Sequence, residues 1–417
     1  MEKYSEYKDS GVQWLGEIPS HWKIRRIKWL FREEDEKNVN LTYQLLSFSR
    51  NKGIIPFSAI NEKAPSASDL SKYKVLHEGQ LLENRMQAWS GMFGCSHIEG
   101  CVSPDYSVFS PYDSNVVTEY YACLFRIPIF VQQFANASKG IGDGFNRLYT
   151  PQFHKIYAIV PSTIEQHAIV SYLDTKCSKL DTFISNKEKE ITLLQEMKQR
   201  VIADAVTRGL NPKVKFKPTN ISWLPEIPEH WKMSKVSSHF RQRNEKVSDK
   251  KYSPLSVSKI GITPQLDNVA LSNAEGNSRK LVKVGDYAVN SRSDRKGSCG
   301  ISNYEGSVSL ITIVLEPFDI DGGYVHYLFR SSPWVEEFYR NGRGIVADLW
   351  TTNYQMMKGM YLPVPPIEEQ HAIVSYITER VAKIDSLIEK LNKEIECIKE
   401  YKQRLISDVV TGQIKVS

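Results

Sequence analysis

EQHAIVSY, from Glu165 to Tyr172, returns letter for letter from Glu369 to Tyr376, 204 residues later in a chain of 417. A second matched pair stands upstream of each copy: WLGEIPSHWK from Trp14 to Lys23, and WLPEIPEHWK from Trp223 to Lys232. The segments between them match more faintly but in the same order. Tyr43, Leu46, Ser47 and Ser49 answer to Tyr252, Leu255, Ser256 and Ser258, and Gly79, Asn84, Gly94 and Gly100 answer to Gly285, Asn290, Gly300 and Gly306. Phe134 and Gly140 answer to Phe338 and Gly344. Self-similarity kept in order over half a chain marks a duplication. The matched letters are mostly glycine, aromatic and aliphatic, the residues that set backbone and core. The letters between them differ freely. A kept scaffold with altered loops points to two modules of one fold that recognise different things.

Each copy has two parts. The second part lacks glycine and proline from Thr163 to Thr207, and again from Ile367 to Thr411; Pro161 and Pro366 precede these runs. A proline followed by an uninterrupted run suits a helix start. In the second run Ile384, Ile388, Leu391, Ile395, Ile398, Leu405 and Val409 fall on one heptad seam, interrupted by Lys402. In the first run the seam is Leu180, Ile184, Ile191, Leu194, Val201 and Ala205, interrupted by Lys187 and Lys198. This spacing predicts two coiled-coil helices. Each would have about 45 residues and be roughly 65 Å long at about 1.5 Å per residue. A lone helix of that kind leaves its stripe wet. Antiparallel pairing of the two is the economical solution, with two globular heads held apart by a rod; the alternative is that each helix packs on its own domain.

The first part of each copy is mixed. Short β-type runs such as Tyr43–Phe48, Ser107–Phe109 and Ser307–Leu315 alternate with turn-forming clusters, and helices are expected near Glu119–Ala137 and Gly323–Arg340. The expected fold is therefore α+β: two α/β domains, each followed by a long helix, the helices pairing as an antiparallel coiled coil. The boundaries would fall at residues 1–160, 161–209, 210–364 and 365–417.

Catalytic patterns are missing. A base-amine methyltransferase loop of the form [Asn/Asp/Ser]-Pro-Pro-aromatic is approached only by Ser103-Pro104-Asp105-Tyr106, which lacks the second proline. No glycine-rich nucleotide turn or GxxxxGK[ST] loop occurs. Pro104-Asp105 is not followed by the acidic-x-Lys of a metal-dependent nuclease. His167 and His371 stand two residues after Glu165 and Glu369, a spacing that does not bring side chains together on a helix. They are read as packing or partner contacts, and His21 and His230 as parts of an aromatic packing or docking element. The six cysteines form no C-x-x-C pair, so neither a disulfide framework nor a metal site is expected, and no cofactor. The opening MEKYSEYKDSGVQW lacks an apolar signal core, and no apolar run approaches bilayer length. A cytoplasmic protein without a membrane partner is expected.

The net charge of +6 permits a polyanion partner without demanding one. Direct readout of duplex DNA needs Arg, Lys, Asn and Gln on loops. Candidates in the first copy are Arg50, Asn51, Lys52, Arg85, Gln87, Lys139 and Arg147. In the second they are Lys259, Arg292, Arg295, Lys296, Arg340 and Arg343. A solvated loop is the bland reading of any one of them; their recurrence at equivalent places in both copies is what gives them weight.

WLGEIPSHWK, IVPSTIEQHAIVSYLD, Lys179-Leu180-Asp181 and MKQRVIADAVTRGL resemble the specificity subunit of type I restriction-modification systems, and the second copy repeats them as WLPEIPEHWK, PVPPIEEQHAIVSYI, Lys383-Ile384-Asp385 and YKQRLISDVVTGQI. The resemblance implies a non-catalytic protein whose two target-recognition domains each read half of a split double-stranded DNA site. It also implies an antiparallel coiled coil whose length sets the unread gap. The implied partners are two methyltransferase (modification) subunits and motor-nuclease (restriction) subunits. Two rival classes are a single-chain methyltransferase or nuclease, and a coiled-coil adaptor that binds only proteins.

Overall fold

The structure is a computed structural model that describes residues 2–50, 52–59, 69–140, 146–265, 278–344 and 350–416. Eight α-helices lie among the described residues: α1 Thr118–Leu124, α2 Pro128–Ala137, α3 Thr150–Phe153, α4 Thr163–Arg208, α5 Gly322–Arg330, α6 Ser332–Arg340, α7 Tyr354–Met357 and α8 Ile367–Val410. The chain forms two compact units, Met1–Lys187 with Lys393–Ser417, and Glu188–Asn392. They cut across the four segments expected from sequence, because each long helix contributes one end to each unit.

In the first unit a four-stranded antiparallel sheet runs in the order Phe31–Glu34, Tyr106–Pro111, Leu81–Asn84, Phe93–Cys95. Hairpin Leu46–Ser49/Gly53–Pro56 and pair Lys74–Leu76/Gly100–Val102 flank it. In the second unit the same order recurs as Phe240–Gln242, Thr312–Pro317, Tyr287–Asn290, Cys299–Ile301. The duplicated lysine after each HW dipeptide opens a strand that closes its domain: Lys23–Arg26 pairs with Tyr157–Val160, and Lys232–Lys235 with Tyr361–Val364. The returning strand in each case runs straight into α4 or α8.

Local chemistry redraws three sequence expectations. The helical stretch 119–137 is two helices, because Pro128 has no N–H to continue α1 and instead sits at the start of α2. The stretch 323–340 breaks likewise at Ser331, with Pro333 in the first turn of α6. The run Ser307–Leu315 is two strands, Gly306–Ser309 and Thr312–Pro317, belonging to different sheets and separated by Leu310 and Ile311.

The start of each long helix and the end of the other pack into one core. Ile169 and Leu173 of α4 share the first core with Leu405, Val409 and Val410 of α8. Ile373 and Ile377 of α8 share the second with Ile202, Ala205 and Val206 of α4. The Tyr120 hydroxyl donates to the Val410 carbonyl at 2.8 Å, and the equivalent Tyr324 hydroxyl reaches the Val206 carbonyl at 3.1 Å. Both expected arrangements therefore occur at once: the helices pair, and their ends also belong to the domains.

Lys402 Nζ meets Asp181 at 2.6 Å and Lys187 Nζ meets Glu394 at 3.4 Å in the first unit, while Lys198 Nζ meets Asp385 at 2.7 Å in the second. Contacts that advance on one helix as they retreat on the other are antiparallel. Ile184, Ile384, Leu391, Ile395, Leu405 and Val409 are buried, and Leu180, Ile191, Leu194, Val201, Ile388 and Ile398 are half-buried. The three lysines that interrupt the seams lay their methylene stems beside it and carry the ammonium to a carboxylate on the other helix.

The duplicated motifs meet each other. Trp22 is fully buried, and its Nε1 donates to Glu165 Oε1 at 3.0 Å; His21 Nε2 lies 2.9 Å from the same oxygen. Ser162 and Glu165 form a capping box, with the Ser162 hydroxyl donating to Glu165 Oε2 at 2.7 Å and the Glu165 N–H donating to the Ser162 oxygen at 3.3 Å. Trp231 Nε1 and His230 Nε2 make the same contacts to Glu369 at 3.0 and 2.8 Å. A left-handed glycine after each helix closes the clamp. Gly412 (φ +78°) has no room for a Cβ, which would stand 2.6 Å from Pro19 and 2.9 Å from Trp22. Gly209 (φ +75°) sits against Trp231 and Glu369 in the same way. Burial alone would raise the Glu165 carboxyl, but the donors from Trp22, Ser162 and His21 hold it at about 2.

Glu83 has the opposite character. It lies fully buried on a central strand, at the position occupied by Val289 in the second copy, and burial pushes it up to about 8.

Two stability predictions follow from these carboxyls. Glu165→Ala leaves the buried Trp22 N–H without its acceptor and should cost about 1–3 kcal/mol in denaturant unfolding, whereas Glu165→Gln keeps an acceptor and should cost less. The folded carboxyl sits below its ordinary 4.5, so its contribution is present above that value and is lost as pH falls toward about 2. Glu83 reverses the sign. Its folded value lies above 4.5, so the wild-type chain should lose stability relative to Glu83→Gln as pH rises from 4.5 to about 8. Thermal melts across that range check it; parallel curves would show that the buried carboxyl does not hold its proton.

Candidate nucleic-acid interface

Three loop segments come together at equivalent places in each unit. The first is the turn of the hairpin at 49–53 or 258–261. The second follows the central strand, at 85–91 or 291–297. The third is a backbone bridge, Lys139↔Arg147 in the first unit and Arg343↔Thr351 in the second. The second and third segments are tied by matching hydrogen bonds. Leu148 N–H donates to the Arg85 carbonyl at 3.1 Å, and Thr352 N–H to the Ser291 carbonyl at 3.0 Å. An arginine behind the hairpin braces it: Arg126, in the turn between α1 and α2, donates to the Arg50 carbonyl at 2.9 Å, and Arg330, at the end of α5, to the Lys259 carbonyl.

In the first unit, Arg50 is exposed and its guanidinium donates to the Ser90 carbonyl and hydroxyl at 2.7 and 2.8 Å. Lys52 and Gln87 are exposed; Asn51 lies outside the described residues. Arg85 turns inward, its Nε on the Ser107 hydroxyl at 2.6 Å and its Nη2 on Glu33 at 2.8 Å. That ties down a side chain which sequence alone places among the loop cations. Lys139 is exposed and Arg147 lies 3.5 Å from Asp105. Met86 (37% exposed) and Trp89 (41%) project from the same loop, with Trp89 Nε1 donating to the Met86 carbonyl at 2.8 Å. Sequence reading by charge passed over them; a tryptophan in a turn-rich loop beside Arg85 and Gln87 was the available signal.

In the second unit Arg292, Arg295, Lys296, Arg340 and Arg343 are gathered around Trp350. Ser293 N–H donates to the Trp350 carbonyl at 2.9 Å, and a cleft of about 420 Å³ is lined by Ser293, Asp294, Lys296, Glu336, Arg340 and Trp350. Asp294 lies 3.0 Å from Arg292 and 3.6 Å from Arg295, Glu336 lies 3.0 Å from Lys296, and Glu337 lies 3.4 Å from Arg340. The five cations outnumber these three carboxylates, so the cluster is positive. Exposed ion pairs of this kind are weak. They orient the guanidinium groups and can be exchanged for phosphate or base edges at little cost. Lys259 instead lines a neighbouring cleft of about 480 Å³ with Lys198, Lys296 and Arg330.

The sheet is the same in both units while the side chains on the loops are not. Arg50 stands where the second unit has Lys259, and Arg85 where it has Ser291. Residues 141–145 and 345–349, which follow Gly140 and Gly344, lie outside the described residues.

No family model matches the chain. It is 23% identical over 444 aligned positions to a putative type I restriction enzyme specificity subunit, MjaX, of Methanocaldococcus jannaschii, with 96% of both chains covered. It is 22% identical to the type I restriction enzyme StySPI specificity subunit of Salmonella potsdam, over 67% of this chain and 62% of that one. Among solved structures, the fold matches a chain from a study of complex assembly and conformational transition of the type I R-M system, at a TM-score of 0.71 and 13% identity, over 95% of this chain and 99% of that one. It also matches the HsdS subunit of Thermoanaerobacter tengcongensis, at a TM-score of 0.54 and 14% identity, over 95% and 98% of the two chains. Both curated relatives are named specificity subunits, and the MjaX match and the two solved structures span this chain nearly end to end, whereas the StySPI match covers about two thirds of it. Over nearly its whole length the chain is similar to a specificity subunit of a type I restriction-modification system, and it shares the fold of a solved HsdS subunit.

Proposed function

We propose that this chain is the DNA-reading, non-catalytic subunit of a type I complex, recognising a split and asymmetric double-stranded site with one loop cluster of each unit. The observation that carries the reading is the pairing of one sheet with two different loop sets. Identical loops would read a palindrome; Arg50, Gln87, Lys139, Arg147 and Trp89 on one scaffold, and Arg292, Arg295, Lys296, Arg340 and Trp350 on its copy, read two unrelated half-sites. Arginine and glutamine offer bidentate contacts to base edges, lysine holds phosphate, and a tryptophan beside them offers an apolar face to thymine methyls or an unstacked step. Two methyltransferase subunits and the motor-nuclease subunits are the partners that would act on the site so marked. Exposed Leu193, Met197 and Leu387 on the helical pair support a protein-binding role for those helices beyond their own seam.

The central test is methylation mapping in cells that carry the modification subunit. Exchanging residues 241–350 for the matching segment of a relative should change one half-site and leave the other as it was. A change in both halves, or in neither, would end the modular reading. A salt-dependent gel shift on duplex DNA separates this function from that of a protein-only adaptor, since phosphate contacts weaken steeply with salt.

The paired helices are proposed as the ruler for the unread spacer. Lys187 faces Glu394. A heptad inserted between Asn186 and Lys187 is therefore matched by one between Ile395 and Glu396. The pair keeps the seam in phase and lengthens both helices by roughly 10 Å. At about 3.4 Å per base pair the spacer should grow by up to about three pairs with both half-sites retained. An active double insertion with an unchanged spacer would show that the helices do not measure it.

A further inference from the structure

Cys95, His97 and Glu119 come together in the first unit and have no counterpart in the second copy. Their ligand atoms, one thiol sulfur, one imidazole nitrogen and one carboxylate oxygen, all lie within 4.8 Å of one another. Among the described residues this is the one group of three such side chains that approaches so closely. The sequence gives little warning of it, because Cys95-x-His97 is not a zinc-finger spacing and Glu119 lies on another element.

The backbone holds all three. Cys95 ends the strand Phe93–Cys95, which pairs with Leu81–Glu83. His97 sits in the turn that follows. The buried Ser96 beside it pins that turn, through its N–H on the Gln80 carbonyl at 2.9 Å, its carbonyl under the Gly79 N–H at 2.8 Å, and its hydroxyl on the Ile98 carbonyl at 2.7 Å. Glu119 lies in the first turn of α1, whose preceding residue Val117 donates its N–H to the side chain of buried Gln166 at 2.9 Å. Ligands on a pinned turn and a pinned helix start are preorganised, and only side-chain rotation separates them from a closed geometry.

We propose that Cys95, His97 and Glu119 form a site for one thiophilic divalent cation of the Zn²⁺ class, with water in the fourth position. A tetrahedral Zn²⁺ with bonds of about 2.0–2.3 Å places its donors roughly 3.5 Å apart. Donors already within 4.8 Å close on it with small rotations of the exposed His97 and the half-buried Cys95 and Glu119. One sulfur, one nitrogen and one oxygen favour Zn²⁺ over the oxygen-seeking Mg²⁺ and Ca²⁺. The ion would clip the end of an edge strand to the first turn of α1. The second copy has Ile301, Asn303 and Gly323 at the corresponding positions, so the site belongs to one recognition domain alone.

The experiment uses the full-length untagged chain, stripped with chelator and titrated with Zn²⁺ by calorimetry, with Co²⁺ as the spectroscopic probe. The wild-type chain should bind one tight equivalent, and the cobalt form should show a thiolate charge-transfer band. His97→Ala removes an exposed ligand without disturbing the core and should weaken that equivalent by more than about tenfold, since even residues that merely support a ligand cost about that much. Cys95→Ser should abolish the cobalt band, while Cys397→Ser, an exposed thiol on α8, should leave both signals intact. Zn²⁺ should also raise the melting temperature of the wild-type chain and not that of His97→Ala. Absence of a tight equivalent in the wild-type chain, or its retention in both His97→Ala and Cys95→Ser, would overturn the proposal.

Discussion

Two helices of 46 and 44 residues, each with a single apolar stripe, set the terms for everything else in this chain. A stripe that long cannot be buried by a domain of ordinary size, and the other helix is the only matching surface the sequence supplies. Once the two run antiparallel, the start of each lies beside the end of the other. Each recognition domain is then built on both: its returning strand leads into one helix, and its core closes over the final turns of the second. That is why Leu405, Val409 and Val410 from the C-terminus are core residues of a domain that begins at the N-terminus.

The clamp of Trp22 on Glu165, and of Trp231 on Glu369, sits at these junctions. It combines three economies of local chemistry. The carboxylate stands in the first helical turn, where the helix dipole favours negative charge. It accepts the one polar atom of a buried tryptophan. The left-handed glycine that ends the opposite helix gives the indole room to lie flat against the chain. The two most closely matched duplicated motifs are therefore two halves of one contact. Their identity across the copies reflects a geometry that both domains must satisfy, whereas the loops at the far side of the sheet are released from it and have diverged.

Divergence of those loops is tolerated because the scaffold behind them is over-determined. The backbone bridges and the arginine braces from Arg126 and Arg330 recur in both units, so a change of side chain on a loop leaves its path intact. The cost appears at single positions. Glu83 is buried where the second copy has Val289, and Arg85 is drawn toward Glu33 and Ser107 rather than outward. A cation counted from sequence is not equivalent to a cation free at the surface.

The sequence by itself determined the duplication, the α+β class, the two long helices and the residues of their seam. All of these are written in local periodicity, which a heptad reports without any knowledge of the rest of the chain. It also placed most of the candidate cations on loops, since turns announce themselves through glycine, asparagine and serine. What only the tertiary structure decided are the pairings across great separations: Glu165 with His21 and Trp22 rather than with His167, Arg85 with Glu33, Trp350 with the basic cluster, and Cys95 and His97 with Glu119. Such partners are chosen by how strands order themselves in a sheet and where a helix crosses it. Those choices depend on the packing of the whole domain, and no residue spacing along the chain encodes them.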